Sequence, residues 1–333
     1  MFFRAAAIAL ALVYSIPVVA QERVTVATMR SVANGALFVA AARGYFKAEG
    51  ITLDMTAYAS DADVVKAMVS GGAEFGFANW TVDTVKLASQ GVFKAVAGQL
   101  HEKNGFEGNE IVISSAAYDR GIRRLDQVGS GIVVVDQVGS SLHYQLMQAS
   151  RAKGGKADDF TVKFAGSPAM AAKAVAEGRA DVAVLPMLEA RDLLATNQAK
   201  LIAWCSQIAE PELGAVFASA AMLGERRAVT EKFLRAYRRG VADFFSAFLR
   251  LDKYSKRISS KQSQRAAKIL AYYIRPRAAA DEAATILEGE IQYMEPQARL
   301  DTADIGARIS WYQAQGLVDK AVAAQDIVDL NFR

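Results

Sequence analysis

Apolar positions follow two regimes along the chain. Ahead of Glu225, short β-branched and aliphatic runs alternate with helically spaced ones; after it only the helical spacing remains. Val24, Val26 and the run 132–135 are β-branched, as suits strands buried on both faces of a parallel sheet. Val64, Val65, Met68 and Val69 recur at helical spacing, with Asp61 as the expected N-cap. A second helix is expected after Ser167 as cap and Pro168 at its first position. Gly71 and Gly178 should end these helices as C′ residues, and each is followed by a short apolar strand, 74–78 and 181–185. Beyond Glu225, Phe233, Leu234, Tyr237, Val241, Phe244, Phe245 and Phe248 mark the buried stripe of a long helix. Further helices are expected over 263–274, 281–294, 301–315 and 322–329.

The two helix–Gly–strand units are one pattern repeated. Advancing 107 positions carries Gly71 onto Gly178, Ala73 onto Ala180, Glu74 onto Asp181 and Ser60 onto Ser167. The same step sets the strand 24–28 beside 131–135 and Asn34 onto Ser141. Two α/β lobes of like architecture follow. No Pro/Gly/Ser-rich linker separates them, so crossing strands should join them.

Composition narrows the class. The 333 residues are 52% hydrophobic and 22% charged, ample for two cores. Basic residues exceed acidic ones only as 39 to 35, and no basic block is interleaved with aromatics, so nucleic acid is not an expected partner. At the N-terminus, Arg4 precedes an apolar run. Val18 and Ala20 occupy the −3 and −1 positions of a cleavage site, so residues 1–20 read as a secretory signal. The single cysteine, Cys205, lies in an apolar stretch and should be a buried small hydrophobe. With one cysteine and two separated histidines, no metal or other cofactor is expected.

Open parallel sheets bind ligands beyond the carboxyl ends of their strands. Four loops occupy such places: 31–35, with Ser31 and Asn34; 79–81, with Asn79 and Trp80; 139–141, with Ser140 and Ser141; and 186–189, with Pro186, Met187 and Glu189. Ser140 and Ser141 open a helix, whose free N–H groups attract an anion, and Gly139 would let a ligand approach. Each serine could equally cap its own helix. Trp80 and Met187 would supply apolar walls. His143, one turn into that helix, and His101, after the apolar run 93–100, are further candidates for ligand contact.

These residues bring a family into view. The segments Gly44-Tyr-Phe-Lys-Ala-Glu-Gly-Ile-Thr-Leu53, 67–78, Gly139-Ser-Ser-Leu-His-Tyr144 and 176–185 resemble the nitrate/sulfonate/taurine group of ABC-transporter solute-binding proteins, including relatives similar to thiamine-pyrimidine synthase. The resemblance implies an α/β, two-lobed type II periplasmic-binding fold with C-terminal helices packed on lobe one. Lobe one would comprise 22–112 and 213–333, and lobe two 113–212, with 111–114 and 216–220 as the crossings. It adds Ser60 to the pocket positions. It also implies a periplasmic monomer that binds a small organic anion, a sulfonate or carboxylate, aliphatic or aromatic, and presents it to an ABC permease. No catalysis is expected. The alternatives are an enzyme on the same fold or a subunit that presents ligand to a sensor. Two departures stand out. Leu185-Pro-Met-Leu-Glu-Ala190 lacks the aromatic that the family often places before Glu-Pro, and the cysteine cluster of the eukaryotic synthases is absent.

Overall fold

The computed structural model describes residues 21–152 and 160–332; the expected signal segment 1–20 lies outside them. Among the described residues, ten strands form two five-stranded mixed sheets. The first has the order β2-β1-β3-β10-β4, from Glu22–Met29 (β1), Ile51–Tyr58 (β2), Phe75–Asn79 (β3), Phe93–Gly98 (β4) and Gly214–Ser219 (β10). The second has the order β7-β6-β8-β5-β9, from Asn109–Ser114 (β5), Ile132–Val135 (β6), Thr161–Phe164 (β7), Val182–Pro186 (β8) and Ala199–Trp204 (β9). Strand periodicity sorts their side chains to two faces. Phe75, Phe77, Val216 and Ala218 join one hydrophobic cluster, while Ala78, Ala215 and Phe217 join the cluster on the other face. Val182 and Val184 are likewise separated from Ala183 and Leu185 in the second sheet.

The 107-residue step is visible as register. Val26 pairs with Phe75 and with Met55; Val133 pairs with Val182 and with Val162. Every partner has moved by the same 107 positions. Helix α3 (Asp61–Val69) and helix α7 (Pro168–Ala176) are related in the same way. Ser60 and Ser167 cap them, accepting from the amides of Asp63 at 3.2 Å and Met170 at 3.3 Å. Ser60, not Asp61, is therefore the cap of α3, and Asp61 is its first helical residue. Gly71 and Gly178 follow the helices at φ 73° and 68°, a left-handed conformation that glycine adopts without strain. The matched acids also have one task. Glu74 accepts from the Thr25 amide at 3.0 Å, and Asp181 from the Ile132 amide at 2.9 Å.

Each sheet holds one antiparallel strand delivered from the other side of the molecule. β10 lies between β3 and β4, and β5 between β8 and β9. The crossings are the segments leading to them, 99–108 and 205–213, which run side by side: the Leu213 amide donates to Leu100 O at 2.8 Å, and the Glu102 amide to Pro211 O at 3.0 Å. The expected crossings 111–114 and 216–220 fall instead within β5 and at the end of β10, because those apolar runs are paired on both edges inside a sheet. The C-terminal helices cover the first sheet. Helix α10 (Arg227–Phe248) stacks Phe233 on Phe75 with ring centroids 3.8 Å apart. Helices α11 (Lys261–Ile274) and α12 (Ala280–Gly289) add to the same cluster, and α13 (Thr302–Ala314) packs on the opposite face. Cys205 is buried in the second lobe's core. Among the described residues, no helix is long and apolar enough to cross a membrane.

Candidate functional site

A cleft of about 1380 Å³ lies between the sheets. Its walls are the carboxyl ends of the parallel strands of both. The loops after β1, β2 and β3 contribute from the first lobe, and those after β6, β7 and β8 from the second. Leu100, Asn109 and Leu213 line it from the crossings. On the first lobe, α3 and α4 (Val82–Ser89) present one face each, with Asp61, Val65, Lys66 and Val69 on α3 and Val82, Lys86 and Leu87 on α4.

Eight of the twelve sequence-derived positions line this cleft: Ser31, Ser60, Asn79, Ser140, Ser141, Pro186, Met187 and Glu189. The other four do not. Asn34 is buried beneath the loop, where its amide donates to Met29 O at 2.9 Å and its carbonyl accepts from Gln99. Trp80 is fully buried, edge-on to Phe217 at 5.1 Å. His101 sits on the crossing, bridged to Glu212. His143 is buried edge-on between Phe164 and Trp311, at 5.1 and 5.0 Å. In each case the aromatic or amide group gains more from packing and internal hydrogen bonds than the loop position suggested.

The two serines at the start of α6 (Ser141–Ala152) line the cleft with their hydroxyls already engaged. Ser140 Oγ donates to Asp136 at 2.5 Å and caps the helix by accepting from the His143 amide at 3.1 Å. Ser141 Oγ lies 3.1 Å from Trp80 O and 2.9 Å from Leu213 O, both in the other lobe, and accepts from Arg308 at 3.3 Å. An oxyanion clasp built from these hydroxyls would have to turn their protons away from Asp136 and from the Trp80 and Leu213 carbonyls. Gly139 is likewise required by the protein itself. Its φ is 69°, and a Cβ there would collide with the Val82 side chain of the other lobe. The Tyr312 hydroxyl donates to Gly139 O at 2.6 Å. This loop is a seam between lobes.

Sequence reasoning missed several polar residues that face the cleft. Asp61 accepts from the Asn79 amide at 2.9 Å and from its side chain at 3.0 Å, tying α3 to the end of β3. Asp136 faces it from the second lobe. Burial raises the pKa of both, and the Asp136 charge pushes Asp61 further up. Glu189 is also raised by burial and by Glu290. Glu290 itself is paired with Arg275 at 3.1 Å and with Arg191 of the second lobe at 3.3 Å.

A family model described as NMT1/THI5 like matches residues 33–247, more than half of the chain. The chain belongs to this NMT1/THI5-like family. No curated protein is similar enough in sequence to match it. Solved structures share its fold at low identity. The periplasmic aliphatic sulphonate binding protein SsuA from Escherichia coli has a TM-score of 0.70 at 13% identity, covering 92% of this chain and 97% of that one. The periplasmic nitrate-binding protein NrtA from Synechocystis PCC 6803 has a TM-score of 0.65 at 11% identity, covering 92% and 85%. A cysteine-to-serine mutant of DSZB in complex with biphenyl-2-sulfinic acid has a TM-score of 0.59 at 12%, covering 94% and 97%. The chain shares with them the two-lobed periplasmic-binding fold.

Within this NMT1/THI5-like chain, two of the missed residues had a signal. Asp61 adjoins Ser60, which the repeat had already paired with Ser167 of the opposite loop. Asp136 ends the apolar strand run and needed only the strand-end rule. Arg275, Glu290 and Gln292 reach the cleft from beyond the repeat, and nothing local marks them.

Proposed function

We propose that the chain is the periplasmic solute-binding component of an ABC importer. The observation that carries this is the cleft formed by six strand-end loops, three from each sheet, over two adjacent crossings. Such a frame takes up ligand by hinging, here at residues 99–108 and 205–213, and offers the closed form to a permease. The solute is a small organic molecule with an anionic group, a carboxylate or sulfonate. Two features support that group: Lys66 and Lys86 on the cleft faces of α3 and α4, and the N-terminus of α7, whose first turn carries no acid.

Binding without turnover fits the one serine–histidine pair near the cleft among the described residues. His143 Nδ1 accepts from the Gly139 amide at 3.0 Å, and Ser140 Oγ is directed to Asp136. The imidazole is therefore not placed to deprotonate that hydroxyl. The test is a melting-temperature screen of the protein without residues 1–20 against carboxylates and sulfonates, followed by calorimetry on any that stabilise it. Lys66→Ala with Lys86→Ala should weaken an anionic ligand by roughly 3- to 10-fold, as expected for two exposed charges. A broad solute panel with no member raising the melting temperature would sink the binding reading.

A further inference from the structure

Positive charge is not spread evenly over the molecule. Residues 249–277 hold nine Lys and Arg and one acid, Asp252, whereas the whole chain is only +4. The rest of the chain is therefore net negative. In sequence these charges stand dispersed; the fold draws them together. Leu251 and Arg257 are bridged into a small hairpin, and Ser260 shortly after it caps α11. Lys261, Arg265, Lys268 and Tyr272 then recur at i, i+4, i+7 and i+11, an exposed stripe opposite the buried face of Ser263, Ala266, Ala267 and Leu270.

This charge works against the fold that carries it. Lys261 opens α11, at the helix end that favours anions, and the first turn holds no acid. Arg265 stands one turn from both Lys261 and Lys268, so like charges neighbour each other along the stripe. Arg257 reaches Glu107 at 3.3 Å, Lys268 reaches Asp281 at 2.7 Å and Arg275 reaches Glu290 at 3.1 Å. Arg250, Lys253, Lys256, Lys261, Arg265 and Arg277 have no ion-pair partner among the described residues. On α10, by contrast, Arg227 and Arg235 are paired with Glu231 and Glu49. The one acid of the stretch is spent on the hairpin turn: Asp252 accepts from the amides of Tyr254 and Lys256 at 2.8 and 3.0 Å.

The same stretch exposes apolar area. Tyr272 and Tyr254 are 73% and 70% exposed, more than any other large hydrophobic side chain among the described residues, and Leu251 and Ile258 at the base of the hairpin are exposed as well. A soluble anion would use the cations and leave the two rings in water. A lipid surface uses both: its phosphates attract Lys and Arg, and tyrosine settles at the boundary between headgroups and acyl chains. We propose that the hairpin and the α11 stripe form a docking face for an anionic lipid surface. This holds whatever the cleft binds; for an importer component it would keep the protein beside the membrane that carries the permease.

The test sediments the protein lacking residues 1–20 with vesicles of phosphatidylglycerol mixed into phosphatidylcholine, and with vesicles of phosphatidylcholine alone. Binding to the anionic vesicles should be at least tenfold tighter and should weaken as salt is raised. Lys256→Glu, Lys261→Glu and Arg265→Glu together should reduce it at least tenfold. Lys47→Glu, Lys163→Glu and Lys320→Glu change the net charge equally at other exposed positions and should reduce it threefold or less. Tyr254→Ser with Tyr272→Ser should weaken binding roughly threefold without altering its salt dependence. Melting temperatures check that each variant is folded, and the tyrosine pair supplies the second readout should the charge reversal destabilise α11. Equal binding to both kinds of vesicle, no binding to either, or equal losses from the two charge reversals overturns the proposal and leaves the solute-binding reading untouched. Undiminished binding without the two tyrosines also overturns it, since any polyanion would then suffice.

Discussion

Glu212 and Glu110 flank the crossings with one buried oxygen each left without a hydrogen-bond partner. Burial pushes Glu212 up from 4.5 to about 8 and Glu110 to about 7. His143 moves the other way: burial brings it from 6.5 down to about 4. The consequences for stability have opposite signs. A native Glu212 keeps its proton to about pH 8, whereas the unfolded chain releases it near 4.5. In that window the native state binds more protons, so stability falls as pH rises. For His143 the unfolded chain binds the proton first, so its contribution is full above pH 6.5 and is lost as pH falls toward 4. Each pH unit of such a displacement is worth about 1.4 kcal/mol. Glu212→Gln should therefore flatten the decline in melting temperature between about pH 4.5 and 8, and His143→Asn should flatten the decline between 6.5 and 4. Thermal melts across pH check both. A Glu212→Gln profile parallel to wild type above about pH 5 would mean that its carboxyl ionises normally. None of this could be read from the sequence. Glu212 and Glu110 look like ordinary surface acids until the fold buries them, and His143 looks like a ligand contact until Phe164 and Trp311 enclose it.

Among the elements, the legible part was what the chain writes twice. Helix, C′ glycine, acid and strand recur at a fixed step because each performs the same local task in each sheet, down to the carboxylate on a neighbouring strand's amide. The cleft loops followed from that pattern, which is why most of the positions drawn from them do face the cleft. What was not legible is the seam. Helix α6 carries Tyr144, whose hydroxyl is 3.2 Å from Asp304 of α13, and Arg308 of the same helix lies over the Tyr144 ring at 4.2 Å. Those partners are far apart in sequence, so no periodicity announces them. Close helix contact was equally silent. Gly240 brings α10 against α1 (Gly35–Ala42) so tightly that a Cβ would collide with Ala36 O and lie 2.6 Å from Ala40 Cβ. Backbone cannot yield as a flexible side chain does, so Gly240→Ala should cost about 1–3 kcal/mol despite the better helix propensity of alanine. Denaturant melts measure it. A neutral or stabilising substitution would show that the two helices can separate without loss.

At the scale of the whole molecule, the cleft and the crossings beneath it come from one feature, the strand that each sheet receives from the far side. The same feature also fixes an order of assembly. The second sheet is complete within one continuous stretch, from Asn109 to Trp204. The first is not: β3 and β4 are separated by an empty lane until β10 arrives, from much later in the chain, to fill it. Until then each presents an apolar, unpaired edge, the kind of surface that invites pairing with another chain. Pairings so distant in sequence are also slow to form. During refolding, pulsed hydrogen exchange should therefore protect the amides of β6 and β8 before those of β3 and β4; simultaneous protection would contradict this order. A partner that shields these edges while the chain is incomplete would raise the yield of folded protein without touching the cleft at all.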